Sequence, residues 1–175
     1  LAEFIHNISP STQIVVHRDR DYFQQAYLEA QVTRFRKRNI CIFFTRGVDI
    51  ESHFIYLPHL DAINAQEENK LKVNLPEVYR QALLACETRL RDKAKRFAQK
   101  ALLYTRSEDL PWKNDEECQL WSDSIDFVRE PYYIHGKIML GALRDTYQKL
   151  NGGVLRVDLT SSHLVHDELR AILGL

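Results

Sequence analysis

Two aspartates one residue apart, Asp19 and Asp21, follow directly on a short β-branched run, Gln13-Ile-Val-Val-His17. In an extended chain, residues i and i+2 point to the same side, so both carboxylates are expected to face one crevice. Hard divalent cations take oxygen ligands, and magnesium is held by one or two carboxylates together with water and phosphate. A second acidic pair, Asp49 and Glu51, repeats the spacing after the next apolar run, with Gly47 able to turn the chain between them. Like charges gathered so closely repel, and a bound cation is the usual compensation. The readings that need no ligand make Asp21 the cap of a following helix and Glu51 the cap of another. Capping and metal binding can coexist at Asp21.

Other residues carry weaker signals. Arg89, Arg91, Lys93, Lys95, Arg96 and Lys100 form a basic run opposed by Asp92. It is either a solvated helix face or a phosphate track, and on the second reading Arg89, Lys93, Lys95 and Arg96 bind nucleic acid without reading its sequence. His53, His59 and His135 read as structural or surface histidines, with His135 singled out by its place before Gly136-Lys137. His163 and His166 have metal-like spacing but no third partner nearby. Cys41, Cys86 and Cys118 are odd in number and form no CxxC pair, which predicts three reduced thiols rather than a disulfide framework or zinc knuckle.

The elements that must position these groups follow from periodicity. Gln13–His17 and Ile40–Phe44 read as buried strands, and Tyr22–Arg38, free of Gly and Pro, reads as the helix between them. Phe23, Ala26, Tyr27, Ala30 and Arg34 mark its helical spacing, and its basic end suits the helix dipole. This βαβ pattern predicts parallel strands with a right-handed crossover, and ligands then bind outside the strands' carboxyl ends. A turn over Thr45–Ile50 leads to a short helix over Glu51–Tyr56, broken by Pro58, and Ala65–Asn74 reads as a loop. Pro76 opens the longest helix, whose stripe of Tyr79, Leu83, Cys86, Leu90, Ala94, Phe97, Ala101 and Tyr104 is core. A turn over Ser107–Lys113 and helices over Asp115–Phe127 and Gly136–Leu150 follow, the latter ended by Gly152-Gly153. A small strand over Val154–Leu159 and a terminal helix over Val165–Leu173 complete the expected order.

A length of 175 residues allows one domain with a sizeable core, and 45% hydrophobic with 27% charged residues is ordinary globular composition. The zero net charge argues against a highly basic nucleic-acid coat but permits a local basic face. No stretch approaches a membrane span and no secretory signal is visible, so a cytoplasmic protein without membrane contact is expected. The chain begins at Leu1 and its one methionine is Met139, so a preceding segment is expected.

The succession of a strand, Asp19-Arg-Asp-Tyr22, a helix, a second strand and then Ile50-Glu51 before a short aromatic segment resembles the Toprim domain. The version it resembles is that of the overcoming-lysogenization-defect nucleases and related phage-defence nucleases. The resemblance implies an α/β fold with a Toprim-like parallel sheet flanked by helices and an added helical C-terminal part. Residues 1–60 would form the C-terminal portion of the Toprim-like core, and 61–175 a helical insertion and the remainder of the same domain. It further implies that Asp19, Asp21 and Glu51 hold Mg2+ or Mn2+. Tyr133-Ile-His-Gly-Lys137, entering a helix, looks like the element that supplies a charge-stabilising lysine, which makes Lys137 the fourth catalytic residue. Toprim domains open with a glutamate-bearing strand. Glu3 lies in no strand pattern here, so that strand is expected upstream of Leu1.

The function implied is two-metal hydrolysis of phosphodiesters in DNA or RNA, with an ATPase domain or subunit, in an oligomeric anti-phage assembly. One rival is a metal-dependent phosphatase with a nucleophilic aspartate in the Asp-x-Asp pair. The other is a degenerate Toprim module that docks or senses without catalysis.

Overall fold

The computed structural model describes residues 5, 7–9, 11–64, 72–105 and 110–157. Strand β1 (Ile14–Arg18) and strand β2 (Ile40–Phe44) pair in parallel, with Ile14 opposite Ile40 and Arg18 opposite Phe44. Both are rich in β-branched and aromatic residues, which suit a pleated, half-buried surface. Helix α1 (Gln25–Arg36) joins them and packs on β2, burying Leu28. Asn39 takes a left-handed conformation (φ 55°) that turns the chain from the helix into β2, a geometry asparagine tolerates.

The remainder is helical. A 3-10 turn (Ile50–Ile55) leads into α2 (Leu57–Asn64), and the long α3 (Leu75–Tyr104) is followed by α4 (Asp115–Ser124) and α5 (Gly136–Asn151). The Asn74 side chain accepts from the Glu77 N–H at 3.0 Å, and Pro76 sits in the first turn of α3, where its missing N–H costs nothing. The buried face of α3 runs through Val78, Ala82, Leu83, Cys86, Leu90, Ala94, Ala98 and Ala101. Its alanines leave room for α5, which contributes Met139, Ala142, Leu143 and Tyr147, and for α4. Gly152 ends α5 in the left-handed region, φ 75°.

Several sequence expectations need correction. β1 is displaced one residue from the expected Gln13–His17, and α1 starts at Gln25 rather than Tyr22. Pro58 does not break a helix but lies in the first turn of α2, again where no N–H is needed. Tyr104 is exposed at the end of α3 rather than core. α4 stops at Ser124, and Phe127 is buried from the turn beyond it. Residues 154–157 form no strand. The expected helix Val165–Leu173, the pair His163 and His166, and Glu3 lie outside the described residues. The protein is therefore mixed α/β, with a small parallel sheet and mostly helices, and among the described residues no helix is long and apolar enough to cross a membrane.

Leu143, fully buried between α5 and α3, tests this core. Leu143→Ala is expected to cost about 2–5 kcal/mol in urea denaturation, from lost burial and the cavity left behind. Leu103→Ala, at a position 76% exposed, is expected to stay within about 0.5 kcal/mol.

Candidate active site

The site is organised around Asp49. After β2 the chain bends through Gly47 and enters the 3-10 turn, and Asp49 at its start is directed at the first residues of α5. Its Oδ1 accepts from the Gly136 N–H at 2.7 Å, and its Oδ2 from the Lys137 N–H at 3.3 Å. These are backbone donors that an α-helix leaves unpaired at its start, and a carboxylate there also complements the helix dipole. The Ser52 hydroxyl donates to Oδ1 at 2.7 Å, and His135 Nδ1 lies 2.8 Å from Oδ2 in a close but poorly aligned contact. Burial alone would raise the Asp49 carboxyl. The contacts with His135, Ser52 and Gly136 reverse that and hold it at about 2. Gly136 is required by this packing, because a Cβ there would overlap the Ser52 nitrogen, the Glu51 carbonyl carbon and the Asp49 carboxylate.

Asp19 and Asp21 reach the site by a different route from the one the sequence implies. β1 ends at Arg18, so the strand's alternation does not carry the pair. Asp21 instead adopts φ 53°, a left-handed conformation that turns its carboxyl inward. Its N–H donates to the Val48 carbonyl at 2.8 Å, and the Arg20 N–H donates to the Thr45 hydroxyl at 2.9 Å, tying the two post-strand segments together. Thr45 in turn donates to the Gly47 carbonyl at 2.6 Å. The Arg20 side chain turns to the Tyr132 ring, 4.7 Å from its centroid. Asp21 does not cap α1: its N-cap is Gln24, without a side-chain cap. Tyr22, only 1% exposed, anchors the turn among Phe97, Trp121 and Tyr133, with ring centroids 5.4–6.2 Å away.

Asp19, Asp21 and Glu51 line one cavity of about 370 Å³ with Lys137. Val48, Tyr22 and Phe97 form its apolar wall, and Lys93, Arg96 and Lys100 bring positive charge from α3. These three follow helical spacing and share one face. The basic run is thus divided. Arg91 bonds Glu87 at 2.6 Å and the Ser122 and Asp123 carbonyls at the end of α4, while Arg89 and Lys95 do not line the cavity. Lys100, not among the residues expected to bind nucleic acid, does line it. His135 lines the cavity beside Asp49, whereas His59 is buried in α2.

Burial pushes the Asp21 carboxyl above the ordinary carboxylate value, and the neighbouring Asp19 charge pushes it further, against the opposing pull of Arg18, His135 and Lys93. Burial likewise raises the Tyr22 phenol, with help from Asp49 and Asp21, and its hydroxyl has no partner among the described residues. Lys137 Nζ, on a side chain 71% exposed, lies 3.3 Å from Glu51 Oε1. Such exposed pairs contribute roughly 0–1 kcal/mol, so the ammonium is easily displaced.

The donor types fit a hard divalent cation: three carboxylates share the cavity, and Asp21 carries a charge that a cation would relieve. Among the described residues, however, no three His, Cys, Asp or Glu side chains stand close enough together to hold a metal ion as they are. The second acidic pair does not repeat the first. Asp49 is satisfied by protein donors, and only Glu51 of the two is free of the cap. Compared with known proteins, the chain matches no family model, no curated protein and no solved structure.

Sequence reasoning missed the capping role of Asp49, although Asp-x-x-Ser before an apolar segment is a readable start signal. It also missed Tyr22 as the anchor of the turn, for which a tyrosine in a helix-like segment gives no signal.

Asp49 has a depressed folded pKa, so its contribution is complete above the unfolded value of 3.8 and is lost as pH falls through about 2. About 2 kcal/mol should disappear across that window in pH-dependent urea denaturation, and Asp49→Asn should flatten this part of the profile. Asp21 is raised, so its ionisation costs stability as pH rises through the folded value. Asparagine tolerates the same left-handed backbone. Asp21→Asn should therefore raise the melting temperature at neutral pH in the absence of divalent cations, and an unchanged or lower value would contradict the account.

Proposed function

We propose that this chain carries the catalytic centre of a metal-dependent nuclease of the Toprim kind, working with an ATPase domain or subunit in anti-phage defence. The observation that supports the chemistry is one cavity lined both by the carboxylates Asp19, Asp21 and Glu51 and by the cations Lys93, Arg96, Lys100 and Lys137. The Toprim kinship, the ATPase and the defence role rest on the sequence resemblance.

Asp19, Asp21 and Glu51 would hold magnesium or manganese, which would supply Lewis acidity and a water of lowered pKa. Lys93, Arg96 and Lys100 hold backbone phosphates and fix the strand's position without reading bases. Lys137, released from Glu51, presents its ammonium to the charge developing on the phosphoryl oxygens. Asp49 keeps the start of α5, and with it Lys137, at the cavity edge. Tyr22, Val48 and Phe97 restrict water on the apolar side.

A second reading, a docking module without catalysis, is favoured by the lack of a ready three-ligand group among the described residues. Single-turnover cleavage of plasmid DNA, single-stranded DNA and RNA by the full-length protein with its ATPase separates the two. Asp19→Asn is expected to abolish magnesium-dependent cleavage. Lys137→Ala should lower the rate by on the order of 100-fold with little change in substrate affinity, the scale seen when one preorganised donor is removed. Lys137→Arg should rescue poorly, because a planar fork does not occupy the same point. Full defence activity in Asp19→Asn would establish the docking reading. A trapped aspartyl phosphate without strand cleavage would establish a phosphatase.

A further inference from the structure

A second hollow, of about 320 Å³, is lined by residues from the end of β1, from α1 and from the turn after α1. Arg18, Arg34 and Arg38 line it together with Tyr27, Gln31 and Phe35. No guanidinium of the three has a hydrogen-bond or ion-pair partner among the described residues. Three unpaired guanidinium groups around one concavity repel one another and suit an anionic ligand, and their planar forks match phosphate. Tyr27 and Phe35 are half-buried there, and Phe35 has no ring partner among the described residues. An aromatic face beside guanidinium groups is the chemistry that holds an unpaired base next to its phosphate.

Consecutive residues line the two hollows. Arg18 lines this one and Asp19, the next residue, lines the acidic cavity. We propose that the Arg18–Arg34–Arg38 hollow is a binding site for single-stranded nucleic acid, which delivers an unpaired strand to the acidic cavity that begins at Asp19. This deepens the proposed nuclease function and rests on it for its catalytic meaning, but the binding itself requires no catalysis. Tyr27 already stacks on Phe23 with ring centroids 4.2 Å apart, but an acidic peptide would satisfy the arginines and leave the Phe35 face unused, which favours the nucleic acid.

The test is fluorescence anisotropy with a labelled oligothymidylate and a labelled hairpin duplex, using the full chain in EDTA. Arg34 and Arg38 are exposed, so Arg34→Ala with Arg38→Ala should leave the melting temperature unchanged. That double variant is expected to bind the oligothymidylate about 10-fold more weakly or worse. Its log–log salt slope should be shallower by about 1.4, the value for two lost contacts to a single strand. Phe35→Leu keeps apolar bulk but removes the stacking face. It should weaken oligothymidylate binding by about 5-fold or more and leave duplex binding unchanged. Unchanged affinity in the double variant overturns the proposal. So does equal loss for duplex and single strand in Phe35→Leu, displacement by micromolar AMP, or displacement by poly-glutamate as effective as by unlabelled oligothymidylate. Because no metal is present, persistence of this binding in a protein that proves to cut nothing would support the strand site while removing the nuclease reading.

Discussion

The contact on which the rest of the site depends is the Asp49 carboxylate against the backbone N–H groups of Gly136 and Lys137. It joins the segment leaving β2 to a helix that begins 87 residues later in the chain. Neither end can move without orphaning buried polar groups, and an unpaired buried donor or acceptor costs about 1–3 kcal/mol. Gly136 makes the contact possible by carrying no side chain where the 3-10 turn presses against the helix. Through it the helix is oriented with Lys137 at the cavity edge, and the turn is oriented with Glu51 facing the same space. One capping interaction thus couples two of the four groups assigned to the chemistry.

Of the other two, Asp21 is held under strain. Asp21 occupies a left-handed backbone conformation that only a few residue types tolerate, and its carboxyl is half-buried beside another negative charge. Both features cost stability in the free protein. They are offset by the aromatic cluster around Tyr22 and by the backbone bonds from Asp21 to Val48 and from Arg20 to Thr45. A carboxylate kept in place against its own electrostatic preference is the arrangement expected where a ligand supplies the missing charge.

The local elements were legible where pattern and propensity agree. The parallel pairing of Ile14–Arg18 with Ile40–Phe44 followed from two apolar β-branched runs flanking a helix, and α5 followed from its apolar face and its terminal glycines. Asp19, Asp21, Glu51 and Lys137 line one cavity, but among the described residues the carboxylates do not stand close enough together to form the cation site expected. Strand alternation was the expected device for the aspartate pair, whereas a positive φ at Asp21 turns that residue, and no residue pattern announces that angle. Asp49 was read only as half of a second acidic pair, because the backbone donors it caps lie far away in sequence. The basic run was divided by helical phase and by the use of Arg91 at the end of α4, a tertiary contact that composition does not reveal. Pro58 read as a breaker because a proline in the first turn and one in the interior look alike until the helix start is known.

The central claim is that the Asp19, Asp21 and Glu51 carboxylates form a divalent-cation site. Anomalous diffraction from crystals of the full-length protein grown with Mn2+ tests it most directly. The account predicts a manganese peak inside the cavity, coordinated by Asp19 and Asp21, with Glu51 turned away from Lys137 to join them. Crystals that contain manganese only elsewhere, or none, with the Glu51–Lys137 pair intact and the cavity filled by ordered water, would contradict it.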